Sequence, residues 1–190
     1  MSARARLLAF APWAAATLLV AAGTHLVAIL AMPALAPRDA HARFVQIAPR
    51  AATTPLPPAR PGREIAPFND PAMATAVCRY DLADGPFRLR ASVSGEEFVS
   101  FSFHSRGNAI YYALTDRAAF RAVIDVLVGT QEQIEAIEAA EEEDAPAEET
   151  RLVSPTREGF VYLRSLAPLP TLMDEAAARL AAVECAVEPF

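Results

Sequence analysis

The stretch Val99-Ser100-Phe101-Ser102-Phe103-His104-Ser105-Arg106-Gly107-Asn108-Ala109-Ile110-Tyr111-Tyr112-Ala113-Leu114 carries the reading of the fold. Its first six residues alternate apolar and polar, the period of a strand with one face on a core. Arg106-Gly107-Asn108 is a turn, and the apolar run after it returns as the hairpin partner. Upstream, Phe87, Leu89, Ala91 and Val93 alternate with Arg88, Arg90 and Ser92, which predicts another strand. Downstream, Val123 to Val128 reads as a strand, and so do Arg151-Leu152-Val153 and Gly159 to Leu166 about a Ser154-Pro155-Thr156 turn. Asp116 is placed to cap a short helix through Phe120. Thr130 with Gln133 has the form of a capping box and opens a helix bearing Ile134 and Ile137. A last amphipathic helix is expected over about Leu172 to Val183. Strands in runs with helices inserted predict an α+β domain over 68–190, built on an antiparallel sheet with two or three helices.

Outside that domain the composition changes. No formal charge stands between Arg6 and Arg38. The apolar segment 7–35 exceeds the ~7–15 residues of a cleavable signal and meets the ~20 needed to span a bilayer. Pro33 and Pro37 are expected to stop the helix as it leaves the membrane. Cleavage after Ala34-Leu35-Ala36 or Ala40-His41-Ala42 is the rival, and both readings export the domain. Residues 1–6 then form a cytoplasmic tail, in a single-pass protein of a bacterial inner membrane with a periplasmic domain. Arg4 and Arg6 precede the span and Arg38, Arg43 and Arg50 follow it, so the signal-like layout, rather than a charge count, favours this orientation. His25 is the one ionisable residue within the span. An intramembrane histidine raises the question of function, but no second polar group is there to relay a proton. Between 36 and 67, Pro49, Pro55, Pro57, Pro58, Pro61 and Pro67 oppose helix and central strand, so an extended stalk is expected.

The charge of −6 and pI of about 5.1 argue against a nucleic-acid partner. Phe68-Asn69-Asp70-Pro71, then Val77-Cys78-Arg79-Tyr80-Asp81-Leu82 and Gly85-Pro86, resemble a bacterial family, the domain of unknown function 1254, in its short membrane-anchored form. His25-Leu26-Val27, Ser102-Phe103-His104-Ser105, Asp116-Arg117 and Ser154-Pro155-Thr156 with Gly159 extend the likeness. The resemblance implies an integral membrane protein and supplies no catalytic residue. It also implies longer relatives that carry a second domain, the domain of unknown function 1214. The expected partners are therefore the lipid bilayer and a separately encoded protein bearing that second domain.

Chemistry is thinly marked. His104 is the only histidine after residue 67, and Ser102 shares its strand face, so the two can meet. No Gly-x-Ser-x-Gly elbow accompanies them. A metal site is not expected, because one histidine and no clustered cysteines fall short of four ligands. The acidic run 141–144 lacks calcium-loop spacing. Arg79, Arg88, Arg90 and Arg106 would bind an anion if they converged. No cofactor is expected. Two readings follow: an anchored interaction or accessory module of the envelope, and a periplasmic small-ligand binder or hydrolase using His104 and Ser102. Cys78 and Cys185 complete the set. In an oxidising compartment they form a disulfide, and the alternative is two buried, independent thiols.

Overall fold

Alternation along the strands becomes two sheets packed face to face. A computed structural model describes residues 3–35, 39–58, 60, 62, 65, 69–140 and 149–190. The chain forms two units, Met1–Pro37 and Arg38–Phe190.

The first unit is one helix, α1 (Ala3–Leu35). Its Phe10–Met32 segment, 23 residues, is long and apolar enough to cross a membrane. The helix runs through position 33 to Leu35, so Pro33 does not end it where the sequence suggests. His25 lies within the span and has no hydrogen-bond partner among the described residues.

The second unit is α+β. Its elements are α2 (Ala40–Ile47), β1 (Thr53–Pro55), β2 (Met73–Asp81), β3 (Phe87–Ser92), β4 (Val99–Ser105), β5 (Ile110–Thr115), β6 (Val123–Gly129), α3 (Gln131–Ala140), β7 (Thr150–Val153), β8 (Glu158–Leu166), α4 (Met173–Ala181) and β9 (Glu184–Val187). A single-turn helix at Asp116–Ala118 follows β5, capped by Thr115 rather than Asp116. The first sheet has order β1-β2-β8-β4-β5 and is antiparallel throughout. The second, β7-β6-β3-β9, is mixed, because β6 and β7 run parallel. The single antiparallel sheet expected from sequence is thus two sheets, with three helices.

Their inner faces make the main core. Cys78, Tyr80, Phe101, Phe103, Val161 and Leu163 from the first sheet meet Phe87, Leu89, Val126 and Val128 from the second. Ala176 and Leu180 of α4 join this cluster. Tyr80 carries its hydroxyl into the core, 2.9 Å from the Tyr111 hydroxyl and 3.1 Å from Ser154 Oγ. Glycine is required at 159, since a Cβ there would take the space of that hydroxyl and of the His104 carbonyl. The capping box forms as spaced: Gln133 N donates to Thr130 Oγ1 at 3.2 Å, and Thr130 N donates to Gln133 Oε1 at 2.9 Å. The acidic run lies outside the described residues.

Cys78 and Cys185 are joined in a disulfide, with Cα atoms 6.3 Å apart. Cys78 sits in the middle of β2, and Cys185 lies in β9. The bond therefore crosses from one sheet to the other.

The extended stalk is the main correction. Asp39 accepts a 2.7 Å bond from Ala42 N and caps α2. Phe44 and His41 then turn inward, 1% and 2% exposed. Thr53–Pro55 adds to the edge of β2, with Pro55 on the outermost strand, where proline is tolerated. Proline density hid an eight-residue helix lying between the prolines.

Candidate functional site

The outer face of the first sheet is built in rows. Residues i, i+2 and i+4 of a strand share a face, so Phe160, Tyr162 and Arg164 of β8 point away from the core. Register sets Arg79 and His104 beside Phe160, Val77 and Ser102 beside Tyr162, and Thr75 and Ser100 beside Arg164. A second, smaller core grows on this face from Val77, Phe160, Phe44, Ala48 and Leu56. Phe44 meets Phe160 edge-on at 5.0 Å. Between α2 and the uncovered part of the rows lies a cleft of about 600 Å³. Phe160, Tyr162 and His104 line it, Asp39, Ala40 and Arg43 of α2 make one wall, and Asn69, Asp70, Asn108 and Arg164 stand around it.

The structure brings His104 and Ser102 together, as their spacing predicts. His104 Nε2 lies 3.0 Å from Ser102 Oγ, and Nδ1 lies 3.3 Å from the Asn108 carbonyl oxygen. With Nδ1–H donating to that carbonyl, Nε2 is an acceptor at the spacing of a base and its nucleophile, and it shares the single Ser102 hydroxyl proton with the Tyr162 carbonyl oxygen, 3.3 Å from Oγ. Burial lowers the His104 pKa, with Arg164 adding to the effect against the Asn108 carbonyl, so the ring is neutral near pH 7. It stacks on Phe160 at 4.6 Å and 10°. Ser102 is buried and is not among the residues lining the cleft. A molecule in the cleft therefore meets the His104 side chain and not the Ser102 hydroxyl. Ser100 and Ser102 of this row are buried and His104 is half-buried.

The four arginines do not converge. Arg88 and Arg90 lie on the second sheet and both hold Asp125, Arg88 through two 2.8 Å bonds. Arg79 is buried against α2 and donates to the Ala48 carbonyl at 2.8 Å; desolvation lowers its pKa. Arg106 lies 3.5 Å from both Asp39 and Glu158. Each guanidinium already has an oxygen partner, and the four serve two separate faces. Among the described residues no group of three or more His, Cys, Asp or Glu side chains is placed to hold a metal ion.

Sequence reasoning missed most of the cleft. Phe160, Tyr162 and Arg164 alternate with Val161, Leu163 and Ser165, and that period was there to mark a lined face. Asp39, His41 and Phe44 have the spacing of a capped, one-sided helix. His41 is the least expected of them: neither ring nitrogen has a hydrogen-bond partner. Burial lowers its pKa, Arg106 and Arg79 lower it further, and Glu158 and Asp39 oppose them.

That burial has a pH consequence. An unfolded chain protonates histidine near 6.5, while His41 and His104 resist protonation in the fold. Stability is unaffected above about pH 6.5 and declines as pH falls below it, because the unfolded state binds more protons. Asp81 lies outside this window. Burial raises its pKa, but the Ala83 amide and then Arg157 and Arg50 outweigh that, so the net shift is downward from 3.8 and its contribution fails only at lower pH. Urea midpoints are expected to fall between pH 7.5 and 5, and His41→Met is expected to lessen the fall. Equal falls in both proteins would mean that His41 is not responsible.

No protein-family model matches the chain, and no curated protein matches it. Among solved structures, the chain is similar to the VPA0106 protein from Vibrio parahaemolyticus, with TM-score 0.54 and 11% identity over 79% of this chain. The chain spans 34% of the length of that structure. The likeness is one of fold. An uncharacterised protein from Burkholderia cenocepacia aligns over 60% of this chain and 31% of its own, at 14% identity and TM-score 0.40, too distant for argument.

Proposed function

We propose that this protein is a membrane-tethered, extracytoplasmic domain that binds a small molecule in the cleft between α2 and the first sheet. The cleft carries the reading. At about 600 Å³ it falls within the ~300–1,000 Å³ of ordinary ligand sites, with an aromatic floor and a few polar groups around it. Apolar area gives such sites their affinity, and the polar groups set orientation. Export is supported by the 23-residue apolar segment and by the disulfide, since disulfides persist in oxidising compartments. The span as an uncleaved anchor, the bacterial inner membrane and a periplasmic face belong to the same proposal. Between interaction module and ligand binder, the cleft favours the binder. The buried Ser102 hydroxyl favours binding over hydrolysis.

The test is a comparison of small molecules that co-purify with the native chain and with Ala40→Trp. Ala40 is in the cleft wall, and an indole there fills the space. Molecules released on denaturing the native protein are expected to be absent from the variant. Identical mass spectra from two equally folded proteins would remove the reading.

A further inference from the structure

Three groups around the cleft differ in what already holds them. Asp39 caps α2 through one carboxylate oxygen and faces Arg106 through the other. Asp70 accepts from the Ala72 amide at 2.8 Å. Arg164 has no hydrogen bond or ion pair among the described residues. The other strand-borne arginines do: Arg79 on a carbonyl, Arg88 and Arg90 on Asp125, and Arg151 on Glu149. A guanidinium left free beside a binding cleft is a preformed partner for a carboxylate or phosphate.

At the opposite end of the cleft, Asn108 has a side-chain oxygen that is buried without a partner. Buried acceptors are nearly always satisfied, so one in a cleft wall points to a donor that the bound molecule brings. Asn108 sits on the turn after His104 with a left-handed backbone (φ 64°), and it lines the cleft. Arg164 is two rows from Phe160 along β8, roughly 14 Å at ~3.4 Å per residue. The flat surfaces of Phe160, His104 and Tyr162 lie in between.

From this the geometry points to a ligand class: an elongated acid whose anionic end pairs with Arg164, whose flat or apolar body lies over the Phe160–His104 stack, and whose far end donates a hydrogen bond to Asn108. This rests on the small-molecule reading of the cleft and adds the chemistry of the ligand. Such a molecule can be a water-soluble aromatic acid or a single-chain lipid acid.

The experiment uses the full chain in detergent and four probes: 4-hydroxycinnamate, its ethyl ester, cinnamate and oleate. Binding is read by calorimetry. The free acid is expected to bind about tenfold or more tightly than its ester, a difference of about 1.4 kcal/mol. Arg164→Gln is expected to erase that difference without weakening the ester. Asn108→Gly keeps the backbone conformation and removes the amide, so it is expected to weaken 4-hydroxycinnamate toward cinnamate and leave cinnamate unchanged. Oleate binding more tightly than 4-hydroxycinnamate, and losing affinity with Arg164→Gln, assigns the lipid source; the reverse order assigns the soluble one. Acid and ester binding equally, with Arg164→Gln silent, overturns the acid assignment and leaves the cleft a binding site. Binding of none of the four overturns this assignment, and the co-purification comparison then decides separately whether the cleft binds at all.

Discussion

Replacing Cys78 and Cys185 together by Ala is expected to lower the stability of the domain by roughly 4–5 kcal/mol. The bond closes a loop between cysteines 107 positions apart. Cross-linking a loop of that size removes chain entropy from the unfolded state worth roughly 4.7 kcal/mol, an upper figure where the unfolded chain keeps structure. Domains of this size have only ~5–15 kcal/mol in total. The native side adds to the effect. Cys78 is fully buried on β2 of the first sheet, and Cys185 lies on β9, a four-residue edge strand paired only with β3. Such a strand has few bonds of its own to keep it in place. Chemical unfolding of the double variant beside the native protein measures the difference, with added reductant as the check on the native form. A loss below about 1 kcal/mol would mean that the bridge does not hold the two sheets together.

Phe44→Ala is expected to lower stability by about 3–5 kcal/mol, the usual range for emptying a buried phenylalanine site. Phe44 is 1% exposed and packs edge-on against Phe160 and over Tyr162. An eight-residue helix cannot persist alone in water, so α2 exists because Phe44 and His41 hold it to the sheet. The loss should appear first as local opening. Amide exchange across residues 40–48 is expected to accelerate before the strands do. An unchanged melting curve and unchanged exchange would restore the extended stalk that proline content suggests.

Strands with one covered face were legible, because alternation records the difference between their faces. Phe87–Ser92, Val99–Ser105 and Val123–Gly129 are where the pattern puts them. β2 was less legible for the opposite reason: eight of its nine residues are buried, with cores on both sides, so no alternation survives. β9 is too short to show a period, and α2 is outvoted by its prolines. The meeting of Ser102 and His104 followed from their spacing. That the serine lies buried did not, because its pairing with Tyr162 of β8 joins strands far apart in sequence.

The disulfide also has a mechanical consequence. When the chain is pulled from its two ends, tension runs along residues 1–78, crosses the sulfur bridge and leaves through 185–190. The 106 residues between the cysteines carry none of it. At roughly 3.5 Å per residue, roughly 370 Å of contour stays furled while the bond is intact, and a reductant releases it in one step.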